Sequence, residues 1–131
     1  MTPEGLVTSP SPRPPAEVIA RLRAEILQRK LTIFAEIDHA AGAEAVGLTL
    51  RPLFLIIFGA AKGGTPLMQA APTAGIDLPL KLLIWQDGEG ETQVSYNDPD
   101  GLAKRHGLGA AVEAPIRALS GLLRGLVDAV V

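Results

Sequence analysis

The sequence contains no cysteine and few aromatic residues, and neither sign of charge dominates. Without cysteine the chain has no disulfide, no thiolate metal site and no cysteine nucleophile. The 12 basic and 14 acidic residues give a formal net charge of −2. Nucleic-acid-binding domains usually carry a basic face, so this balance argues against nucleic acid as a partner. With three Phe, one Tyr and one Trp, the core must be largely aliphatic.

The sequence also lacks a long hydrophobic run. The longest uncharged apolar stretch, residues 53–61, is far shorter than the roughly 20 residues of a membrane-spanning helix. Residues 1–15 have neither the basic start nor the apolar centre of a signal peptide. We therefore expect a cytoplasmic protein with no membrane partner. The length predicts a single domain over residues 1–131.

The first part of the chain predicts a strand, a helix and a second strand. Residues 5–9 are expected to form a short edge strand, because the prolines that follow cannot donate to a sheet. Residues 16–30 have the apolar spacing of a helix, and residues 39–47 suit a short helix or an irregular connector. Phe34 falls on the polar side of an alternating strand over 31–38 and is a candidate contact residue. The alternation places these residues together against the core: Leu31, Ile33, Ala35 and Ile37.

A glycine-rich turn follows a strand that is apolar on both faces. Residues 53–58 predict a central strand, and residues 59–64 form the turn. Thr65 is the predicted N-cap of a short helix, with Pro66 at its first position.

The rest of the chain predicts a hairpin and a long final helix. Residues 78–86 and 92–96 are the two hairpin strands, joined by a glycine-containing turn over 87–90. The final helix has an apolar seam formed by Val112, Ile116, Leu119, Leu123, Leu126 and Val130. Together the elements predict an α+β fold: one two-layer domain with a mostly antiparallel sheet of about four or five strands and helices on one face.

Several sequence blocks keep an order and a spacing that are typical of one family. They are residues 33–43, 58–59, 62, 64–65, 67–68, 77–81 and 96–97. Through them the chain from about residue 14 to 131 resembles the domain of unknown function family 302. The resemblance implies a compact domain of TATA-binding-protein-like or helix-grip arrangement, often dimeric, and it implies no catalytic residues. The family turn usually contains Phe-Gly-Asn-Pro-Lys, whereas this chain has Ala60 and Ala61 in place of Asn and Pro.

The glycine-rich turn is the strongest candidate binding site. Gly59, Gly63 and Gly64 would let backbone amides approach a ligand, and the start of a helix favours an anion. Lys62 adds a positive charge and Thr65 a hydroxyl. The turn is not a P-loop, which needs a Lys-Ser/Thr pair directly after the last glycine. The alternative is structural, with Thr65 as a cap and Lys62 in solvent.

Asp38 and His39 form a second candidate, for acid–base chemistry or metal binding. They adjoin each other at the end of a strand, where neighbouring side chains point to opposite faces. His106 is the only other histidine, and no ligand spacing supports a metal site. The structural alternative is that Asp38 or His39 satisfies backbone groups of the next turn.

A third candidate is a polar cluster on the sheet. Tyr96 and Asn97, with Glu36 and Lys81, are predicted to share one face and to line a pocket. The alternative is that they form the wet face of a half-exposed sheet.

The sequence favours a non-enzymatic module, since it has neither a nucleophile elbow nor a dinucleotide fingerprint. Such a module would bind a small anionic or amphipathic ligand or would act as a dimerising accessory domain. We expect self-association as a homodimer, and no cofactor is indicated. The alternative is an enzymatic or metal-dependent activity that uses Asp38 and His39.

Overall fold

Five strands form one antiparallel sheet in the order β1-β5-β4-β3-β2. The computed structural model describes residues 2–131. Its strands are β1 (Leu6–Ser11), β2 (Thr32–Asp38), β3 (Leu53–Gly59), β4 (Leu80–Gln86) and β5 (Thr92–Asn97). Its helices are α1 (Pro15–Gln28), α2 (His39–Ala45), α3 (Ala61–Ala70), α4 (Pro99–Arg105) and α5 (Glu113–Asp128), with short 3₁₀ helices at Pro72–Ile76 and Ala110–Val112. The predicted α+β class is confirmed.

One face of the sheet carries the core. Its buried strand residues are Ile56, Phe58, Leu80, Leu82, Ile84 and Val94. Helix α1 packs against them through Val18, Leu22 and Ile26. Every residue of the predicted apolar seam in and around α5 is buried in the same cluster. The long amphipathic helix therefore covers this face, which we call the core face.

The opposite face of β2, β3 and β4 is also apolar, and its residues lie outside the core cluster. Strand register places Ile37, Leu55 and Leu83 in one row across it, and Leu53 beside Trp85 in another. The β3 and β4 members of these rows are only half-buried. We call this surface the open face.

Strand β2 departs from the predicted alternation because it contains a bulge. The pairing register shifts between Ile33 and Ala35, so that Phe34 is the extra residue. Ile33 lies opposite Phe58 on the core face, whereas Ala35 lies opposite Ile57 on the open face. The prediction that Ile33 and Ala35 share a face was wrong, since one inserted residue reverses the two-residue period beyond it.

Helix α3 begins earlier than predicted. It starts at Ala61 with Ala60 as N-cap, so Thr65 caps nothing and Pro66 lies inside the helix. The amides of Gly63 and Gly64 donate to the Ala60 carbonyl at 3.0 and 3.4 Å. A Cβ on Gly63 would stand 3.5 Å from Leu119 Cδ2, which is an ordinary contact distance. Gly63 therefore lies against α5.

Aspartates are the N-caps of the two short helices α2 and α4. Asp38 accepts a hydrogen bond from the Ala41 amide at 2.9 Å at the start of α2, which confirms the structural alternative for this residue. Asp98 accepts from the Asp100 amide at 3.0 Å at the start of α4, whose Leu102 is buried.

Two alanine substitutions test these helix starts. Thr65→Ala should change the free energy of unfolding by less than about 0.5 kcal/mol, because the hydroxyl caps no helix. Asp98→Ala should cost about 1 kcal/mol, because an amide at the start of a packed helix loses its partner. Urea unfolding of both variants measures the difference. A larger loss of unfolding free energy in Thr65→Ala would show that Thr65 does cap the helix.

The hairpin between β4 and β5 depends on one carboxylate. Asp87 accepts from Gln93 Nε2 at 3.0 Å and from the amides of Glu91 and Glu89 at 3.0 and 2.9 Å. The bond from Gln93, followed by the backbone bonds, lowers the pKa of Asp87 below its usual value. Gly90 closes the turn with a φ of 82°.

Asp87→Ala should lower the melting temperature at neutral pH, and the loss should shrink in acid. Because the folded-state pKa is lowered, the carboxylate contributes stability above its ordinary pKa and loses it as the pH falls through the folded value. Melting curves of wild type and variant at neutral and acidic pH measure this. A difference that does not change with pH would contradict the role of the charge.

Candidate functional site

An apolar cavity lies beside the glycine-rich turn. Its volume is about 350 Å³, which is within the size range of small-molecule sites. Every residue of its wall is apolar or a glycine. The wall consists of Leu31, Phe34, Gly59, Ala60, Ala61, Gly63, Gly64, Met68, Leu78, Pro79, Leu80, Leu119 and Leu122.

The wall is formed by strands β2, β3 and β4 and by helices α3 and α5. The β2 bulge presents Phe34, which remains 54% exposed and stands 3.9 Å from the site of a Cβ on Gly59. Gly59 ends β3 with a φ of 157°, a value that favours glycine. Helix α5 supplies Leu119 and Leu122, the second of which is only half-buried. The turn over residues 59–64 has few large side chains, so it leaves a space between the sheet edge and the helices α3 and α5.

The predicted anion site at this turn is only partly present. Gly59, Gly63 and Gly64 line the cavity, but Lys62 and Thr65 are exposed and lie outside its wall. The Gly63 and Gly64 amides bond to Ala60, so they are not free to bind an anion. The expectation of free amides there was wrong because the helix begins at Ala61, five residues before its predicted first residue, Pro66. The turn offers a ligand mainly apolar surface.

Asp38 and His39 lie away from the cavity. In the β2–β3 pair Asp38 stands opposite Phe54, whereas Thr32, at the other end of β2, stands opposite Gly59. Asp38 is engaged as a helix cap and His39 is exposed at the first position of α2. These residues therefore do not join the glycine turn in one site.

His106 is distant from Asp38 and His39 and has partners of its own. Its Nε2 lies 2.5 Å from Asp77 Oδ2, and its Nδ1 lies 2.8 Å from Thr73 Oγ1. Asp77 precedes β4, whereas Asp38 is in register with the β4 end that contains Ile84. The hypothesis that Asp38, His39 and His106 converge is therefore not supported. Within residues 2–131, no group of three or more acidic or histidine side chains is arranged to hold a metal ion.

The polar sheet residues do not share one face. Tyr96 and Glu36 lie on the core side, whereas Asn97 and Lys81 lie on the open side. Glu36 is paired with Arg23 at 2.7 Å. The predicted cluster was wrong because adjacent residues in β5 point to opposite sides of the sheet.

Tyr96, Asn97 and Lys81 each have a separate environment. Tyr96 lines a polar cleft with Arg124, and its burial raises its pKa. Asn97 lines a different cleft, next to α4. Burial lowers the pKa of Lys81, and Asp77 opposes this change.

Sequence reasoning missed most of the cavity wall. Leu119 was expected to be a core residue and Leu122 was not part of the predicted seam, and nothing in the spacing indicated that they border a space. Two signals pointed toward it: the glycines after an apolar strand, and Phe34 as an apolar residue among polar neighbours. The contacts of Thr73, Asp77 and His106 left no signal, because Thr73 and His106 are 33 positions apart in the chain.

Comparisons with known proteins place the chain among related sequences. Residues 7–126 match the family model described as Domain of unknown function DUF302. The match begins earlier than the expected start near residue 14 and so includes most of β1.

Curated relatives are longer than this chain. The chain is 44% identical over 115 residues to the fluoride-specific ion channel FluC 1 of Brucella suis biovar 1, which covers 88% of the chain and 45% of that protein. It is also 44% identical over 115 residues to FluC 2 of Brucella melitensis biotype 1, covering 88% of the chain and 43% of that relative. The chain thus spans less than half the length of the curated relatives it matches. No helix within residues 2–131 has the length and hydropathy needed to cross a membrane.

A solved structure shares the fold. The crystal structure of uncharacterized conserved protein DUF302 from Bacillus stearothermophilus aligns with a TM-score of 0.86, covering 98% of this chain and all of that one, at 17% sequence identity. At this identity the likeness shows the fold alone. Together with the family match over residues 7–126, it leads to one conclusion. The chain belongs to the family Domain of unknown function DUF302.

Proposed function

We propose that this protein is a binding module for a small apolar or amphipathic molecule, held in the cavity beside the glycine-rich turn. The observation that carries the proposal is the cavity itself, about 350 Å³ in volume with a wall of apolar residues and glycines. A water-filled space with such a wall offers water few hydrogen bonds, so an apolar guest would replace the water favourably.

The apolar wall determines the chemistry of the guest. Each buried methylene contributes about 0.8 kcal/mol, from which the cost of association must be subtracted. Affinity should therefore rise with chain length until the cavity is full. Lys62 is exposed between the wall residues Ala61 and Gly63, so an anionic head group outside the cavity would meet a positive charge. A linear carboxylate satisfies both requirements.

A blocked cavity tests this proposal. Ala61→Trp places a large side chain in the wall, whereas Ala70→Trp makes the same change at the exposed far end of α3. Linear carboxylates and alcohols of increasing chain length should raise the melting temperature of wild type and Ala70→Trp but not of Ala61→Trp. Thermal unfolding with isothermal titration measures both effects.

The head group is tested separately. Lys62→Ala should weaken the binding of carboxylates but not of alcohols with the same chain, since only the carboxylate loses a charged partner. If neither series stabilises the wild type, or if Ala61→Trp binds as well as Ala70→Trp, the cavity is not a binding site.

A second candidate function is self-association through the open face. It has apolar rows on β2, β3 and β4, and the connection between α2 and β3 also exposes Val46, Leu48 and Leu50. Leu50 lies beside Trp85 in a shallow cleft, which extends the apolar surface. Contiguous exposed apolar surface of this kind is typical of protein interfaces. A second copy that covers it would make the module a homodimer.

The oligomeric state tests this second candidate. Ile37 is 38% exposed on the open face, and Leu27 is 56% exposed on α1. Ile37→Glu should raise the dimer dissociation constant at least about tenfold, roughly 1.4 kcal/mol, whereas Leu27→Glu should leave it unchanged. Sedimentation equilibrium over a concentration series measures both. A wild type that remains monomeric throughout would exclude the dimer.

We further infer an accessory role in proteins that resemble the curated relatives. The matched segment makes up 45% of the Brucella suis relative, which is named a fluoride-specific ion channel. More than half of that protein lies outside the match. We propose that a module of this kind supplies ligand binding or self-association, and that conduction belongs to the unmatched part.

A further inference from the structure

We propose that Thr73, His106 and Asp77 form a second functional site, a hydroxyl–imidazole–carboxylate relay that hydrolyses small carboxylic esters with Thr73 as the nucleophile. The site lies apart from the apolar cavity, and none of its three residues belongs to the cavity wall. It is built where the 3₁₀ helix Pro72–Ile76 meets the end of α4.

The hydrogen bonds have the order that such a relay requires. Thr73 Oγ1 lies 2.8 Å from His106 Nδ1, and His106 Nε2 lies 2.5 Å from Asp77 Oδ2. An ionised carboxylate only accepts hydrogen bonds, so Nε2 must carry the proton that joins it to Asp77. The neutral ring then has Nδ1 as an acceptor for the Thr73 hydroxyl. A nucleophile, a base and an orienting acid are thus connected in sequence.

The base is held rigidly while the nucleophile is accessible. The His106 side chain is only 6% exposed, and its acid partner Asp77 is 20% exposed. Arg105 binds both Asp77 carboxylate oxygens, at 2.9 and 3.0 Å, and so fixes the group that orients the imidazole. Thr73 is exposed, so its hydroxyl can reach a molecule from solvent.

A polar cleft of about 470 Å³ adjoins the relay at Asp77. Its wall contains Asp77, Arg105 and Lys104, together with Glu4 and Asp98. Because the polar cleft has room for a small molecule only, the site suits short esters.

The reaction balances without a cofactor. Thr73 Oγ1 attacks the carbonyl carbon while its proton passes to His106 Nδ1. The tetrahedral intermediate collapses, the bond to the alcohol oxygen breaks, and the alcohol leaves with that proton. Water then attacks the acyl-threonine, and its proton passes to Nδ1. When the acid leaves, that proton returns to Thr73 Oγ1, so the products are one acid and one alcohol.

The experiment uses p-nitrophenyl acetate as substrate and a fluorophosphonate as covalent probe, with the full chain. Thr73→Ala and His106→Gln should each lower kcat/KM at least about 100-fold, while Thr73→Ser should keep the activity. Thr65→Ala and His39→Gln are matched controls that remove an exposed hydroxyl and an exposed imidazole elsewhere, and both should leave the rate unchanged. Peptide mass spectrometry should find the probe on Thr73.

A purely structural role for the three residues would give a different result. A structural tether would change the melting temperature of Thr73→Ala without any adduct on Thr73 and without rescue by serine. Wild type that does not hydrolyse the substrate, a probe attached elsewhere, or an unchanged rate in Thr73→Ala would each overturn the proposal. If His106→Gln fails to fold, the rates of Thr73→Ala and Thr73→Ser and the probe adduct on Thr73 still test the proposal. Ligand binding in the apolar cavity should be unaffected by Thr73→Ala, so the two proposals stand or fall separately.

Discussion

The structure depends on the burial of one apolar sheet face beneath α1 and α5. Phe58, Ile84 and Val94 on the strands and Leu22 and Leu123 on the helices have almost no exposure. Burying a side chain of this size contributes about 1.5–3 kcal/mol relative to leaving it in water. The sheet is antiparallel, with β1 and β2 at opposite edges, and the two long helices lie across one side of it. The apolar cavity and the open face are the apolar surfaces that this packing leaves uncovered.

The cavity arises where that packing cannot be completed. Between the end of β3 and α5 the chain contains Gly59, Ala60, Ala61, Gly63 and Gly64, none of which can fill the space. Their small size leaves an apolar space beside Leu119 and Leu122 of α5. A larger side chain at these positions would fill that space.

The edge strand β2 and the open face are two different exposed surfaces of the sheet. Strand β2 is an edge strand with a bulge at Phe34, and bulges protect edges from uncontrolled pairing. The open face beside it carries the apolar residues Leu53, Leu55, Leu83 and Trp85 on β3 and β4. The bulge also turns Phe34 toward the cavity, so a single irregularity shapes two surfaces of the protein.

The sequence by itself determined the type and order of nearly every element. The α5 seam and the hairpin with Gly90 are local patterns, and local periodicity is sufficient to predict them. The family resemblance was likewise carried by sequence blocks alone, and the match over residues 7–126 confirmed it. The start of α3 was mispredicted, because Gly63 and Gly64 oppose a helix by propensity, whereas both lie within α3 in the folded protein.

Only the tertiary structure decided which side chains meet. The register of β2 depends on one bulged residue, and it determined that Ile33 and Ala35 face opposite sides. Likewise, His106 meets Asp77 and Thr73 only because α4 is packed beside the 3₁₀ helix, whereas Asp38 is held at the other end of the sheet. Periodicity describes neighbours within one element. Contacts between elements depend on how their faces pack, and no local pattern in the chain encodes that geometry.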